Sequence, residues 1–451
     1  MDSKSKGSIF EKGIRVVDEN DSPVTIVRFI ADGGQGEVYQ VSYKGNDYAL
    51  KWYSKAKSDV IGGKQYDTIY KIRGEKKKPS NRFLWPLYLV TEENPEKGKK
   101  FGYLMPLLPS GYYEMEDFLR MDGDEKAVRF KSYNAMLVAG MNITRGMQEL
   151  HLMGYSYKDL NPKNFAINPE NGDVLIVDND NVSVDKDPCS VKGTPGYMAP
   201  EIPRSKYTEN PNRKTDYYSL AVVLYQLFFI DHPMEGKTWE DYPLCTEEWE
   251  EYLYAIKPVF HYDPNNKTNR PTEVYAPNVA SRWPYMPTEL RKTFVKAFTE
   301  GIDNPDKRPP EIEWILTISQ ARDKLIRGSS GKEQFVFFSD KRTIPPSCLG
   351  LKIGSNLIAM YHSKALYQIA VDQNDKDFST IHGGVVYDRN IDKLALRNMS
   401  NRIWRCYDPV TKQITNLEKG QDFPIYHGVQ IEFQREKPKI VGEIFDPMKQ
   451  G

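Results

Sequence analysis

Two spacings of apolar residues divide the first two thirds of the chain. From Val24 to Tyr53, β-branched and aromatic residues alternate with polar ones in three short runs, VTIVRFI, EVYQVSY and DYALKWY, with glycines in the turns between them. This alternation predicts β-strands. The strand-like runs FLWPLYLV and GYLMPLL follow, so residues 24–108 are expected to form a mostly β region.

Beyond Pro109-Ser110-Gly111 the apolar residues recur at helical spacing. The longest such stretches are AMLVAGMNITRGMQELHLMG, DYYSLAVVLYQLFF, ELRKTFVKAFTEG and EIEWILTISQARDKLI. Apolar positions three and four residues apart place one face of a helix against a core. A mostly helical region is therefore expected over residues 109–327.

A third pattern follows a Gly/Ser-rich segment, residues 328–334, whose composition is typical of a linker. Short apolar runs such as NLIAMYH, GGVVYD and VQIEF are then separated by turn residues at close spacing. This pattern predicts an all-β sandwich over residues 335–446. The expected fold class is α+β, with one module at residues 24–327 and a second at residues 335–446.

Composition narrows the function classes. The 62 basic residues balance 62 acidic ones, so no net charge favours nucleic acid or an anionic membrane. The chain shows no signal sequence and no apolar run of membrane-spanning length. Its four cysteines are scattered without a C-x-x-C pair, which fits a reducing compartment. A cytoplasmic protein is expected.

The turn between the first two predicted strands, ADGGQGEV, contains Gly33, Gly34 and Gly36. Glycines there allow backbone N–H groups to approach phosphates, and Val38 offers an apolar wall to a base. Taken alone, the segment reads equally well as an ordinary hairpin turn. Lys51, at the end of YALK on the third strand, strengthens the phosphate interpretation because a cation follows the glycine hairpin at the right distance.

A second polar segment, YKDLNPKNF, lies between a predicted helix and a predicted strand pair. Asp159 is suited to orient a hydroxyl nucleophile, while Asn164 and Asp178 are oxygen ligands of the kind Mg²⁺ prefers. Each residue alone reads as a capping or turn residue. Their order behind a glycine loop and a lysine favours phosphoryl transfer.

The order of these motifs resembles the protein kinase family over residues 24–325, and within it the bacterial, eukaryotic-like kinases. The matching segments are GGQGEV, YALK, LHLMGYSYKDLNPKN, IVDND, GTPGYMAPE, TDYYSLAVVLYQL and NPDKRPP. The resemblance implies a two-lobed fold with a β-rich lobe at residues 24–108 and a helical lobe at residues 109–327. It also implies ATP and Mg²⁺ as cofactors.

Roles follow from the resemblance, residue by residue. Lys51 would contact the α- and β-phosphates of ATP, Asp159 would be the catalytic base, and Asn164 and Asp178 would bind magnesium. Glu201 and Arg308 would form a buried ion pair, and Asp216 would anchor the catalytic loop. The remaining nucleotide contacts would come from the loop and from the adenine pocket with its hinge: Gly33, Gly34, Gly36, Val38, Ala49, Met105, Pro106, Leu107 and Leu108.

The chain departs from the family pattern at several positions. Ala31 replaces the first glycine of the loop, and Tyr157-Lys158 replaces His-Arg before the base. Asn161 replaces a lysine, and Lys163 is expected to reach the transferred phosphate instead. Asp178-Asn179-Asp180 replaces Asp-Phe-Gly, with Asp180 read either as a further metal ligand or as a charged turn residue.

The helix glutamate that pairs with Lys51 in the family has no clear counterpart. Asp67 and Glu75 are the acidic residues in the relevant stretch, and neither has convincing spacing. This gap keeps open a nucleotide-binding pseudokinase scaffold that acts through the C-terminal module. Retention of Asp159 and Asp178 favours an active enzyme.

Gly193-Thr194 resembles the serine/threonine branch of the family. The expected reaction is therefore ATP- and Mg²⁺-dependent transfer to serine or threonine hydroxyls of protein substrates, autophosphorylation included. Ser183, Ser190 and Thr194 are candidate phosphorylation sites, with Lys158 as a cation to order the phosphate. A small-molecule phosphotransferase is disfavoured, because GTPGYMAPE shapes a groove for an extended peptide.

The C-terminal strands faintly resemble a forkhead-associated phosphopeptide-binding sandwich. Ser379 and His382 have the Ser-x-x-His spacing of that family, but no arginine lies between Arg342 and Arg389 to anchor a phosphate. We therefore favour a sandwich that packs on the kinase or on a partner protein over a phosphothreonine reader.

Overall fold

The computed structural model describes residues 8–75, 78–93, 98–187, 192–241, 246–328, 330–375, 377–388 and 392–449. Six strands in the N-terminal region close into a barrel of order β1-β2-β3-β4-β6-β5. Their bounds are β1 Arg15–Asp18, β2 Pro23–Asp32, β3 Gly36–Tyr43, β4 Asn46–Tyr53, β5 Tyr88–Thr91 and β6 Phe101–Pro106. The barrel includes β1, which lies before residue 24, where the sequence places the start of this lobe.

The barrel interior follows from the alternation of apolar residues in the sequence. In β3 the side chains of Tyr39, Val41 and Tyr43 are buried while the intervening ones are partly exposed. Trp52 packs into the same cluster and meets the ring of Phe10 at 4.9 Å. One helix, α1 (Lys64–Arg73), lies between β4 and β5 in the chain and buries Ile69 and Ile72.

The central region is helical, as the 3.6-residue spacing predicts. Its long helix α3 begins at the side-chain cap of Ser132, which accepts a 3.0 Å hydrogen bond from the Ala135 amide. Asn212 and Thr215 form a capping box at the start of α5. The helices after α1 are α2 Met115–Phe118, α3 Tyr133–Leu152, α4 Glu201–Arg204, α5 Arg213–Phe229, α6 Glu247–Glu251, α7 Pro277–Arg282, α8 Thr288–Phe298, α9 Glu300–Asp303 and α10 Glu311–Asp323.

Short strands in this region carry the polar segments that the sequence singles out. They are β7 Tyr113–Glu114, β8 Tyr155–Ser156, β9 Phe165–Ile167, β10 Val174–Ile176 and β11 Ser183–Val184. Strands β9 and β10 form an antiparallel pair, so the segments before β9 and after β10 lie side by side. Phe83, from the chain between α1 and β5, bridges to Ile176 of β10 and connects the two regions.

The predicted linker is instead the turn of a two-stranded hairpin. Strands β12 (Leu325–Arg327) and β13 (Glu333–Phe335) pair antiparallel. The Gly328 amide donates to the carbonyl of Lys332 at 2.9 Å across the turn. The second module therefore follows the helical region through paired backbone.

Two antiparallel sheets make up the C-terminal module. A six-stranded sheet has the order β15-β14-β23-β22-β19-β20, and a four-stranded sheet has the order β16-β17-β18-β21. Both sheets contribute to one buried cluster that includes Leu351, Val385 and Trp404. The elements are β14 Leu349–Ile353, β15 Asn356–Met360, β16 Ala365–Tyr367, α11 Gln368–Val371, β17 Ile381–Asp388, β18 Lys393–Asn398, β19 Trp404–Tyr407, β20 Ile414–Leu417, β21 Asp422–Pro424, β22 Gln430–Gln434 and β23 Ile440–Phe445.

Within the described ranges, no helix has the length and apolar character needed to cross a bilayer. Cys348 and Cys406 are buried free thiols. Cys189 and Cys245 lie outside the described residues.

Candidate active site

The glycine loop joins β2 to β3 over the cleft side of the barrel. Gly36 cannot carry a side chain, because a Cβ atom there would lie 1.9 Å from the carbonyl oxygen of Trp52 on β4. Gly33 closes the turn with a 2.9 Å hydrogen bond from its amide to the Gly36 carbonyl. Gly34 faces open space, so the loop leaves room for a ligand above its tip.

Lys51 is buried on β4, and its ammonium group meets three oxygen atoms. Asp178 Oδ1 and Asp180 Oδ2 each lie 2.8 Å from Nζ, and Gln35 Oε1 of the glycine loop lies at 3.1 Å. An ammonium group has three hydrogens to donate, so all three are used. Burial acts to lower the pKa of Lys51, but Asp180 and Asp178 outweigh it and the net shift is upward.

Asp180 is the second acidic partner of Lys51, for which the sequence had suggested no clear candidate. Its side chain is 1% exposed, and Oδ2 also accepts a hydrogen bond from the Tyr53 hydroxyl. On the first turn of α1, Gln65 donates from Nε2 to the Asp180 carbonyl at 2.9 Å. The helix thus presents a glutamine toward the lysine cluster, and the second carboxylate comes from the segment after β10.

Neither acidic candidate from the sequence takes this role. Asp67 is exposed in the first turn of α1, and Glu75 follows the end of that helix. The carboxylates that pair with Lys51 in the described residues are those of Asp178 and Asp180. The signal in the sequence was an acidic residue two positions after Asp178, where the family has glycine.

Asn179 replaces the family's phenylalanine with a polar anchor. Its side-chain amide is fully buried and donates to the carbonyls of Leu84 (3.1 Å) and Ile176 (3.0 Å). Leu84 belongs to the chain between α1 and β5, so this amide fastens the Asp178 segment to the N-terminal region. The segment is held by hydrogen bonds where the family uses an apolar side chain.

The carboxylate of Asp159 lies at the other side of the cleft. Its Oδ1 accepts a 2.7 Å hydrogen bond from the Thr194 hydroxyl. Asn161, which replaces the family's lysine, donates to the Asp159 carbonyl at 3.1 Å and lies 3.3 Å from Thr194 Oγ1. Burial raises the pKa of Asp159, while the hydrogen bonds from Thr194 and Asn161 act to lower it.

Lys163, unlike the partly buried Asp159, has an exposed side chain. Its side chain is 67% exposed, and its ammonium group lies 3.6 Å from Glu116 Oε1. The predicted contact with a transferred phosphate stays a prediction.

Asn164 and Asp178 lie close together because the Val177 amide donates to the Asn164 carbonyl at 2.9 Å. The side-chain nitrogen of Asn164 donates to the Asp159 carbonyl at 2.5 Å, which leaves its side-chain oxygen as the atom to offer a metal. The Asp178 side chain is 51% exposed, and Asp180 Oδ1 is a buried oxygen without a hydrogen-bond partner among the described residues. Such hard oxygen atoms fit Mg²⁺, which is usually held by one or two carboxylates together with substrate phosphates.

Asp216 anchors the catalytic loop, as the resemblance implies. Its carboxylate accepts hydrogen bonds from the amides of Tyr157 (2.6 Å) and Lys158 (2.9 Å). His151, which the sequence reading missed, lies between Asp216 at 3.0 Å and Glu311. Burial acts to lower the pKa of His151, but these two acids raise it to about 9.

An apolar surface adjoins the lysine cluster. Ala49 on β4 pairs with Met105 on β6, and both belong to a buried cluster that also receives Val38. Leu108 packs against the same cluster, as do Leu107, Leu175 and Val177. Pro106 ends β6. The residues assigned to the adenine pocket and hinge therefore gather where the two regions meet.

Lys158 contacts the segment after β10, which contains the candidate phosphorylation site Ser183. Its ammonium group donates to the Ser183 hydroxyl at 2.6 Å and to the Asp187 carbonyl at 2.8 Å. Ser190 lies outside the described residues. Lys158 thus contacts one of the candidate phosphorylation sites, and its role in ordering a phosphate stays a prediction.

The ion pair implied for Glu201 is also present. Arg308 donates from both terminal nitrogens to the two carboxylate oxygens of Glu201, each at 2.8 Å. Its side chain is 1% exposed. This bidentate pair fixes α4 against the segment before α10.

In the C-terminal module, Ser379 and His382 do not converge on a common site. Ser379 Oγ donates to Asp377 at 2.7 Å. His382 is buried, stacks on Trp404 at 5.3 Å and hydrogen-bonds Gln368. The geometry therefore gives no support to the forkhead-associated resemblance.

Comparisons with known proteins agree with the kinase motifs. The protein kinase domain model matches residues 24–272. A probable serine/threonine-protein kinase of Dictyostelium discoideum is 27% identical over 228 residues, which cover 48% of this chain and 16% of that protein. Mouse cGMP-dependent protein kinase 2 is 26% identical over 216 residues, 47% of this chain and 26% of that protein.

The match thus spans about a quarter or less of these two relatives' own length. Among solved structures, the ROP18 kinase domain in complex with AMP-PNP and sucrose aligns with a TM-score of 0.45 at 15% identity, covering 70% of this chain and 84% of that one. Because the kinase domain model accounts for more than half of the 451 residues, the chain belongs to the protein kinase family.

Proposed function

We propose that the protein is an active serine/threonine kinase that uses ATP with Mg²⁺. The observation that carries this proposal is the hydrogen bond of 2.7 Å between Asp159 Oδ1 and the Thr194 hydroxyl. A partly buried carboxylate that already accepts from a hydroxyl is suited to orient a serine or threonine acceptor. The names of the relatives, which include serine/threonine kinases, support the same acceptor class.

Each residue of the site has one task in this proposal. Asp159 orients the acceptor hydroxyl and takes its proton. Lys51 supplies a cation to the phosphates, and Asn164 and Asp178 hold the metal. When bound, Mg²⁺ neutralises charge on the phosphates. Gly36 keeps the loop backbone close enough to cover them.

Asp180 takes over the orientation of Lys51 in this proposal. In the structure Lys51 has two carboxylate partners at the same distance, 2.8 Å. If Asp178 turns toward a metal, Asp180 still holds the ammonium group, because its own position is fixed by Tyr53 and by the Gln65 contact to its carbonyl. The chain thereby dispenses with a helix glutamate.

Autophosphorylation in the segment after β10 forms part of the proposal. Ser183 Oγ lies 2.6 Å from the Lys158 ammonium group. A phosphate on Ser183 would gain a charge-assisted contact with that cation. Phosphosite mapping of active protein that finds Ser183 unmodified would remove this part alone.

Labelled ATP, Mg²⁺ and a generic acceptor protein test the main proposal. The wild type is expected to incorporate label, and Asp159→Asn to lower the rate by about 10³-fold, within the range typical of a lost general base. Asp124→Asn is the matched control, since it makes the same change at an exposed position of the helical region. Equal rates for all three proteins would contradict the assignment.

The pseudokinase scaffold is the second candidate. The full use of the Lys51 hydrogens by Gln35, Asp178 and Asp180 is the observation in its favour, since no donor is left for a phosphate in this arrangement. A wild type that binds ATP in a fluorescence titration and transfers no label would favour the scaffold.

A further inference from the structure

A cleft of about 1010 Å³ lies between the helical region and the C-terminal module. Its walls come mainly from the chain before and at the start of α3, the end of α10, the β12–β13 hairpin and the stretch from Tyr361 to Tyr367. The β9–β10 turn and helices α2, α5 and α7 add one or two residues each. Pockets for small molecules are usually clefts of about 300–1,000 Å³, often at domain interfaces. Neither the kinase motifs nor the proposed phosphoryl transfer uses this cleft, which we name the basic cleft.

The charge of the basic cleft is far from that of the whole chain. Seven lysines and arginines line it against two glutamates, whereas the chain as a whole has no net charge. Arg129 and Lys131 form ion pairs with Asp122 and Glu170. The other five make no ion pair with any residue that the structure describes: Arg282, Arg322, Arg327, Lys332 and Lys364.

Arg322 shows that this charge is built into the fold. The residue is 2% exposed, and its guanidinium group stacks on the Tyr367 ring at 3.5 Å from the centroid. One terminal nitrogen donates to the Phe378 carbonyl at 2.7 Å. The Nε atom is buried and has no hydrogen-bond partner among the described residues, so the guanidinium group is held in place with a donor to spare.

Lys364, which is partly buried, adds a second cation beside Arg322. Its ammonium group donates to the carbonyls of Arg322 (2.6 Å) and Leu325 (2.7 Å). Asp323 attracts both cations at longer range, but its carboxylate is hydrogen-bonded to Asn356 and does not line the cleft. The lining thus carries a net positive charge that Asp323 offsets only in part, and an anion bound in the cleft would offset more of it.

Aromatic rings accompany the cations. Tyr133, which is 46% exposed, and Tyr361 line the basic cleft beside Tyr367. Cations that contact phosphate and rings that contact a sugar or base together fit a compact ligand carrying both. Because the walls come from several separate stretches around one volume, they suit a small molecule better than an extended phosphopeptide, which uses a sheet edge or a long groove.

We propose that the basic cleft binds a small organic polyphosphate, a ring bearing two or more phosphate groups, and that the ligand stabilises the contact between the helical region and the C-terminal module. Such a ligand contacts residues of both parts at once. Ligand binding to the folded state raises the thermal unfolding temperature by mass action. The proposal is independent of phosphoryl transfer at Asp159.

Calorimetric titration of the full chain tests the proposal with two probes, inositol hexakisphosphate and ADP without Mg²⁺. The titrations use the wild-type chain as the parent protein, and comparison of the cleft variant with the control variant shows how much of the binding belongs to the basic cleft. Arg327→Glu/Lys332→Glu changes two exposed positions of the basic cleft. Lys267→Glu/Lys352→Glu is the control, with the same charge change at exposed positions outside it.

At least one probe is expected to bind the parent protein. Its affinity should be at least about tenfold lower for the cleft variant and should change less than about threefold for the control variant. The probe is also expected to raise the unfolding temperature of the parent protein and not that of Arg322→Met. Failure of both probes to bind, or equal weakening in the cleft and control variants, would overturn the proposal. Binding of a phosphopeptide in place of both probes would overturn it as well.

Discussion

The kinase cleft and the basic cleft treat buried cations in opposite ways. Lys51 has two carboxylates of its own chain at 2.8 Å, and these raise its pKa in spite of burial. Arg322 has no ion pair among the described residues, and burial lowers its pKa. Burial lowers the pKa of Lys364 as well, to about 8.

Lys51 is neutralised by carboxylates of its own chain, whereas Arg322 and Lys364 have no direct ion pair within the described part of the chain and are proposed to bind an anion from outside the chain. A buried ion pair is complete in the folded chain, and loss of one member leaves the other uncompensated. A buried cation without a direct ion pair is compensated only at longer range, here by Asp323, so its removal leaves less charge uncompensated than removal of Lys51 does. Charge deletion, pH and charge relocation each test this distinction.

Charge deletion is expected to give the largest effect. Lys51→Met leaves the Asp180 carboxylate buried beside Asp178 without its cation, which should lower the free energy of unfolding by about 3–5 kcal/mol. Arg322→Met also removes a buried cation, but Asp323 keeps its hydrogen bond from Asn356 and the attraction of Lys364, so a smaller loss of about 1–2 kcal/mol is expected. Urea unfolding followed by tryptophan fluorescence measures both variants.

Both substitutions introduce the same side chain, so the contrast isolates the charge partner. The Arg322→Met variant also loses the stacking on Tyr367 and the hydrogen bond to the Phe378 carbonyl, so some loss of unfolding free energy is expected from these contacts alone. A loss for Arg322→Met as large as that for Lys51→Met would show that the two cations are compensated alike. The distinction between the clefts would then be wrong.

A change of pH is expected to have a smaller effect on the free energy of unfolding, with opposite signs for His151 and Lys364. The pKa of His151 is raised to about 9 in the folded protein, so its stabilisation is complete below about pH 6.5 and is lost as pH rises through 9. The full loss amounts to about 3 kcal/mol. The lowered pKa of Lys364, about 8, works the other way, since stability from this residue increases between about pH 8 and 10.5.

Thermal unfolding at a series of pH values from 6 to 10 measures these slopes. His151→Gln should flatten the decline of the unfolding temperature between pH 6.5 and 9. Lys364→Met should make the decline above pH 8 steeper, because the opposing contribution is gone. Identical pH profiles for the wild type and His151→Gln would contradict the paired state of the histidine.

The sequence predicted the parts of the kinase cleft that depend on contiguous residues. Asp159, Asn164 and Asp178 could be found because strand ends and a short turn fix their relation locally. The same holds for the strands of the N-terminal region and the helices of the central one, whose apolar spacing follows from the core they face. Residues 24–272 match the family model, in line with those motifs.

What the sequence did not reveal are contacts between distant segments. The partner of Lys51 lies 129 positions away at Asp180, and no local pattern indicates that its side chain turns inward. His151 reads as one more helical residue until Glu311, 160 positions later, is brought beside it. The basic cleft, too, is assembled from several distant segments, so its charge cannot be seen in the composition of a chain that is neutral overall.

Charge relocation gives the smallest of the three effects and the most specific result. Asp180→Asn keeps the shape of the side chain but removes the carboxylate that fixes Lys51, and we expect kcat to decrease about thirtyfold with little change in KM for the acceptor. Gln65 contacts Tyr53 Oη at 3.4 Å and the Asp180 carbonyl at 2.9 Å, so Gln65→Glu places a carboxylate beside the same cluster. The double variant Asp180→Asn/Gln65→Glu is therefore expected to recover at least about tenfold.

Asp67→Asn serves as the matched control, because it removes an exposed carboxylate from the same helix, and it should leave kcat unchanged. Titration with a fluorescent ATP analogue provides a readout separate from turnover, with affinity expected to fall and recover in parallel with kcat. A structural loss alone would lower the unfolding temperature in both Asp180 variants and would not be reversed by a glutamate on α1. If the double variant is as slow as Asp180→Asn while both remain folded, the carboxylate of Asp180 does not act by holding Lys51. The pairing of Lys51 with carboxylates would then matter for stability but not for turnover.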